Sequence, residues 1–112
     1  KLKKIIKQAD AIIVACPIYN YDVNAVTKNL LEVTGSSWNE KVVGFMCSAG
    51  GKGSYMSVMP FANSLMLDYR CRIIPRYVYT TSESFSEGQL ADNEIIDRIN
   101  ELVDTIISWS SS

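Results

Sequence analysis

Two short stretches hold the residue types best suited to gripping a ligand. Pro17-Ile18-Tyr19-Asn20-Tyr21 places aromatic rings and an amide directly after an apolar run. Ser48-Ala49-Gly50-Gly51-Lys52-Gly53 packs three glycines into four residues directly after another. Glycine lets a backbone reach conformations that other residues avoid and lets a ligand approach closely. An aromatic ring on one side and backbone N–H groups on the other suit a flat, heteroaromatic ligand. Taken singly, the glycines equally suit a tight strand-to-helix turn, and Tyr19 and Tyr21 equally suit packing back on the sheet. The coincidence of the two stretches favours a site. The second stretch lacks the full G-x-x-x-x-G-K-[ST] pattern, so a nucleotide phosphate loop is not supported.

Other chemistries are poorly provided for. The sequence has 0 histidines, so no Cys–His or Ser–His pair can activate a nucleophile. Its 3 cysteines are scattered and contain no Cys-x-x-Cys, which argues against a disulfide framework or a zinc site. Cys16 and Cys47 each close an apolar run and read as small buried hydrophobes. An odd, scattered cysteine set fits a reducing compartment, so a cytoplasmic location is expected. A net charge of -1 gives no reason to expect a nucleic-acid or anionic-membrane partner. The basic run from Lys1 to Lys7 alternates with apolar residues and reads as the solvated face of a helix. No apolar run approaches the ~20 residues needed to span a membrane, and no signal peptide is visible.

The elements that must position the two stretches follow from periodicity. Lys1 to Ala9 reads as a helical end, with Leu2, Ile5 and Ile6 on one face. Ala11 to Cys16 is a continuous apolar run rich in β-branched residues, the pattern of a strand buried on both faces, and Pro17 is expected to end it. Asp22 or Asn24 can cap the next helix, whose inner face is expected to be Ala25, Val26, Asn29, Leu30 and Val33, and Gly35 ends it. Lys41 to Cys47 reads as a second buried strand. Ser54 to Tyr69 is helical in pattern, with Pro60 marking either a kink or the start of the regular part. Cys71 to Thr80 reads as a third strand, and Pro75 within it calls for a sheet edge or a break. Thr81 to Ala91 is polar, with Phe85 its lone apolar anchor. Asp92 can cap a final helix whose broad apolar stripe is expected to be Ile95, Ile96, Ile99, Leu102, Val103, Ile106 and Ile107, extended by Trp109.

Strict alternation of helices and strands calls for a parallel sheet with right-handed crossovers, and 112 residues suit one domain with one core. In such sheets ligands bind outside the carboxyl ends of the strands, where both stretches fall.

The residues also resemble a family. Ala9-Asp10-Ala11-Ile12-Ile13-Val14, then Pro17-x-Tyr19-Asn20, then Val26-x-Lys28-Asn29-Leu30-Leu31, and finally Ser48-x-Gly50-Gly51, are similar to the NADPH-dependent FMN reductases of the flavodoxin-like superfold. The resemblance covers roughly Ile5 to Val78. It implies a flavodoxin-like three-layer α/β sandwich with a parallel sheet. It also implies an NAD(P)H-dependent reductase using FMN and NADPH and passing electrons to free flavin, a quinone or another small acceptor. Pro17, Ile18, Tyr19 and Asn20 would lie against the flavin ring. Ser48, Ala49, Gly50 and Gly51 would bond its polar edge. Lys28 and Asn29 would support their helix. No residue need be catalytic, because the flavin carries the hydride chemistry. Ile18 stands where the family usually has glutamate. A homodimer or higher homo-oligomer is also implied.

The family's first strand, phosphate-binding loop and first helix have no counterpart in this sequence. The expectation is an N-terminally truncated sandwich, residues 1–112 forming the C-terminal portion of one domain. The alternatives to a reductase are a flavodoxin-like electron carrier or interaction module without catalysis, or an inactive truncated domain.

Overall fold

A computed structural model describes residues 1–19, 22–51, 53 and 55–110. Helix α1 (Leu2–Gln8) leads into strand β1 (Ala11–Tyr19), and short strand β2 (Asp22–Val23) precedes helix α2 (Ala25–Thr34). Strand β3 (Val42–Ser48) and helix α3 (Met59–Tyr69) follow, and then the short strands β4 (Arg72–Ile73) and β5 (Val78–Thr80). A hairpin of β6 (Phe85–Ser86) and β7 (Gln89–Leu90) precedes the long helix α4 (Asn93–Ser110).

The sheet is mainly parallel. β1 and β3 pair from Ala11↔Val42 to Pro17↔Ser48, β4 and β5 both pair parallel to the far edge of β3, and β2 pairs antiparallel to the end of β1. Two cores result. One, on the α2 and α3 side, gathers Cys16, Ile18, Leu31, Phe45, Cys47 and Leu65. The other, under α4, gathers Val42, Ile74, Val78, Leu102 and Ile106.

β3 is buried on both faces, as its composition predicts. β1 is not: its even-numbered residues face the core, while Ile13 on the other face is 43% exposed. The reason is the placement of α4, which packs on β3 and β5. Nor does β1 end at Pro17. Among the described residues its outer edge is bonded only at Ile18 and Tyr19, and a proline is tolerated where its nitrogen faces an unbonded edge.

The third strand breaks at Pro75, one of the two outcomes its sequence allowed. Ile73 pairs with Val43 and Val78 with Met46, so five steps on the outer strand span three on β3. Such a surplus forces the ladder open. Regular helix α3 begins at Met59 with Pro60 in its first turn, the second of the two outcomes its sequence allowed, and there the missing N–H costs nothing.

The inner face of α2 is rotated from the expected one. Leu31 and Thr34 are buried, whereas Val26 and Val33 are exposed. Thr34 earns its place by accepting a 2.7 Å hydrogen bond from the indole of the buried Trp38. Asn24 rather than Asp22 occupies the cap position of α2. Asp92 caps α4 as expected, its carboxylate accepting from the Glu94 N–H at 3.0 Å.

The polar segment before α4 is ordered into a short 3-10 turn and the β6–β7 hairpin. Glu87 and Gly88 both have positive φ (51° and 78°), which is the two-residue turn that matches strand twist. Phe85 is no buried anchor; it is 45% exposed on this hairpin.

Candidate functional site

The two stretches begin side by side because β1 and β3 run in register to their ends. Pro17 pairs with Ser48, and Ser48 pairs on its other side with Thr80 of β5. Neighbouring strands lie about 4.8 Å apart, so three strand ends converge within one ligand's reach. Two bonds fix the convergence. The Ala49 N–H donates to the Thr80 carbonyl at 2.9 Å, and the Thr80 hydroxyl donates to the Cys47 carbonyl at 3.1 Å. Ala49 is therefore committed to the sheet, and the backbone with most to offer a ligand starts at Gly50.

Each expected site residue has a distinct setting. Tyr19 is 62% exposed and presents its ring at the end of β1. Ile18, alternating with it, is 6% exposed and packs in the core, so only its backbone is left for a ligand. This also accounts for an apolar side chain at that position. Pro17 is half-buried, Ser48, Gly50 and Gly51 are exposed, and Ala49 packs against the core. Asn20 lies outside the described residues, as does Tyr21.

Gly50 and Gly51 distinguish the two readings of their loop. Neither has positive φ, and a Cβ added to either would meet no atom within 4 Å. The chain's own geometry therefore does not demand glycine there. Close approach of something outside the chain would.

Aromatic side chains support this loop from below. Phe61 meets Phe45 edge to face at 6.1 Å, Phe45 meets Tyr77 at 5.5 Å, and Tyr55 lies 6.1 Å from Tyr77 and 5.5 Å from Tyr79. The Tyr79 hydroxyl donates to the Gly51 carbonyl. Burial pushes the Tyr77 phenol up, and its hydroxyl points to the Met59 sulfur at 2.9 Å.

Two hollows flank the strand ends. One of about 450 Å³ is walled largely by apolar groups, including Pro17, Met46, Ser48, Thr80, Phe85 and Leu90. The other, about 170 Å³ and more polar, lies between Gly50, Gly51 and the Thr81–Glu83 turn.

Comparison with known proteins places this geometry. The family described as NADPH-dependent FMN reductase matches residues 1–85 of the 112. The chain belongs to the NADPH-dependent FMN reductase family. No curated protein matches it significantly.

Solved structures share the fold of this family member over nearly its whole length. FerB, a flavoenzyme NAD(P)H:(acceptor) oxidoreductase from Paracoccus denitrificans, is 19% identical with a TM-score of 0.76, covering 97% of this chain and 65% of its own. An NADH:FMN oxidoreductase (EmoB, apo form) is 18% identical with a TM-score of 0.75, covering 94% and 57%. An oxidoreductase from Corynebacterium diphtheriae is 18% identical with a TM-score of 0.73, covering 95% and 60%. The chain thus spans about three fifths of the length of these structures. At such identities the likeness concerns the flavodoxin-like fold.

The residues present fit the ring of the family's flavin. The exposed Tyr19 ring supplies stacking area, the open Gly50–Gly51 backbone admits close approach, and the apolar hollow is lined by Pro17 and Ser48 at the two strand ends. Three contributors were not singled out from sequence: Thr80, which closes the third strand end; Tyr79, which holds Gly51; and Leu90 of the hairpin, which lines the hollow with Phe85, a residue the sequence marks only as an apolar anchor. Only the alternation Tyr77-x-Tyr79 in an apolar run hinted at the first two. Lys28 does support its helix, through a 2.6 Å ion pair with Asp22 that ties α2 back to β2. That pairing holds the Asp22 carboxyl below the usual carboxylate range.

Proposed function

We propose that the chain is the ring-binding part of an NAD(P)H-dependent FMN reductase that passes electrons to free flavin, a quinone or another small acceptor. The observation that carries this reading is the pair Gly50–Gly51, whose open backbone the fold does not require, following Ser48 where that residue pairs with Pro17, two residues before the exposed Tyr19. When bound, the flavin supplies hydride acceptance and onward electron transfer. The chain's residues orient it. Tyr19 offers a face for stacking, Gly50 and Gly51 offer backbone at the polar edge, and Tyr79 holds the Gly51 carbonyl in place. Pro17 and the Phe85–Leu90 hairpin exclude water from the apolar side. Asn20 belongs to the same proposed contact through its place in the family motif.

The proposal extends to assembly. Val26 and Val33 on α2 and Leu67 on α3 are exposed on the two helices that flank a groove of about 310 Å³. We read this surface as the contact of a homodimer. Three free, buried thiols fit a reducing compartment, and the cytoplasm is the proposed location. No helix among the described residues is long and apolar enough to cross a membrane.

The test is FMN titration of the purified chain, followed by flavin fluorescence, with NADPH oxidation measured alongside. Binding should be saturable, and Tyr19→Ala and Gly50→Val should each weaken it about tenfold, equivalent to ~1.4 kcal/mol. Binding that neither substitution alters would refute the site. Binding with NADPH oxidation no faster than that of free FMN would favour the electron-carrier alternative.

A further inference from the structure

The floor of the candidate site contains a feature that flavin binding does not use. Cys16 and Cys47 are direct register partners on the parallel strands β1 and β3. Successive side chains alternate between the faces of a sheet, so register partners share a face. Both belong to the same core cluster and are 4% and 3% exposed. The two thiols lie close enough for each to shift the other's ionisation, Cys16 downward and Cys47 upward. Each is followed at once by a residue of the candidate site, Pro17 on one strand and Ser48 on the other.

This placement brings the two residues close to disulfide geometry, and a small inward shift of the strands would bring their Cβ atoms to the ~3.5–4.5 Å a bridge needs. Adjacent strands stand ~4.8 Å apart, and bridged cysteines have Cα atoms roughly 4.4–6.8 Å apart. Cys71 cannot take part. It precedes β4, which pairs with the opposite end of β3, and its thiol donates to the Trp38 carbonyl at 3.1 Å. It is a buried thiol without a sulfur partner, and so serves as an internal control.

We infer that Cys16 and Cys47 form a dithiol pair that closes reversibly to a disulfide when the protein meets hydrogen peroxide. Cys16 attacks first. The neighbouring Cys47 thiol holds its pKa down, while Cys16 and burial push that of Cys47 up. The Cys16 sulfur, giving up its proton, bonds to one peroxide oxygen. The O–O bond breaks, and the departing hydroxide takes that proton to leave as water. Cys47 sulfur then attacks the sulfenic sulfur of Cys16. The S–S bond forms, the S–O bond breaks, and hydroxide leaves as a second water with the Cys47 proton. Two thiols lose two electrons, and one peroxide becomes two waters. A dithiol reductant reverses the closure by exchange. In a reducing compartment the pair rests open and closes only under oxidant.

Closure would tie together the two backbones that lead into Pro17 and Ser48. The inference about the thiols stands apart from the flavin reading, since its readout is covalent. The reduced chain is treated with hydrogen peroxide, unfolded, alkylated with N-ethylmaleimide and analysed by mass spectrometry. The expected product has lost two hydrogens, carries one alkyl group on Cys71, and yields a single cross-linked peptide pair joining Cys16 to Cys47. Dithiothreitol should restore three alkylatable thiols. Oxidation of Cys71 at the same rate as the other two, or cross-links between chains only, would overturn the inference. Phenylarsine oxide, which bridges two adjacent thiols, gives a second measure on the untreated fold. After the native chain is treated with it and then unfolded and alkylated, two thiols should remain blocked, and none in Cys47→Ser. Equal alkylation of all three thiols after unfolding would also overturn the inference.

Discussion

Gly44 in the middle of β3 is the position where packing is tightest, and substituting it tests how α4 is held on the sheet. Its φ is not positive, so alanine or valine fits the backbone there. The space does not. A Cβ built on Gly44 would lie 2.8 Å from Cδ1 of Leu102 and 3.0 Å from Cδ1 of Ile106. Ordinary carbon contacts are roughly 3.5–4.0 Å, so two buried methyl groups must each withdraw by about 0.5–1 Å. Overpacking of this kind costs about 1–3 kcal/mol. Removing the flexibility of glycine from the unfolded chain returns about 0.4–1 kcal/mol. The expected net loss is therefore about 1 kcal/mol for Gly44→Ala and about 2 kcal/mol for Gly44→Val. Urea unfolding followed by circular dichroism would read both, as would a fall in Tm of about 4–8 °C per kcal/mol. Leu102→Ala should cost about 2–5 kcal/mol alone, by opening a cavity, but markedly less in the Gly44→Val background, where the new methyl groups fill it. Strict additivity of the two substitutions would refute the proposed contact. So would a Gly44→Val chain as stable as the parent.

Tyr79→Phe removes the bond to the Gly51 carbonyl while keeping the ring in its aromatic stack; FMN affinity should fall by about three- to tenfold, near ~1 kcal/mol, with the unfolding midpoint almost unchanged. An unaltered FMN affinity would show that Tyr79 does not position the loop. Lys28→Met tests the ion pair to Asp22, an exposed pair expected to contribute below about 1 kcal/mol. The folded-state pKa of Asp22 is the depressed one, so its contribution is complete above the unfolded value of about 3.9 and disappears as pH falls through the folded value. The difference in urea midpoint between parent and Lys28→Met should thus be present at about pH 6 and vanish in acid below that window; a difference unchanged by acid would point to lost packing instead. Lys41→Met removes two hydrogen bonds, 2.6 Å to the Lys7 carbonyl and 2.7 Å to the Ala9 carbonyl, that close the end of α1. Helical signal should fall and stability drop by about 1 kcal/mol, whereas FMN affinity should not move.

Much of this was legible in the sequence because the strands are written in continuous apolar runs. The alternation of elements and the parallel sheet follow from those runs; that the two candidate stretches start side by side required β1 and β3 to be neighbours, which the strand pairing decides. What was not legible depended on tertiary partners. The face α2 buries is decided by Trp38, whose indole needs the Thr34 hydroxyl, and that outweighs the apolar pattern of Val26 and Val33. The exposed face of β1 is decided by where α4 lands, which no local pattern in β1 encodes. The continuation of β1 past Pro17 reflects an edge position, and edge or centre is a property of the whole sheet. At the site, Tyr19 and Gly50–Gly51 stood out by residue type. Thr80 and Tyr79 did not, because their role comes from being register neighbours of Ser48 and Cys47, a relation set by pairing rather than by sequence distance.

These relations make β3 the strand through which the site is held. On one face its missing side chain at Gly44 admits Leu102 and Ile106 of α4. On the other, Phe45 joins the aromatic stack and Cys47 meets Cys16. At its end, Ser48 is paired on both sides and Ala49 is bonded to Thr80. The open backbone of Gly50 and Gly51 thus begins one residue beyond a fully committed segment. A close-packed segment transmits displacement instead of absorbing it. An oxidised Cys16–Cys47 pair would pull on β3 from the face opposite α4, immediately before Ser48. The glycine loop is the first part of that strand free to respond, so closure of the proposed dithiol would reach the proposed ring-binding residues without touching the ring.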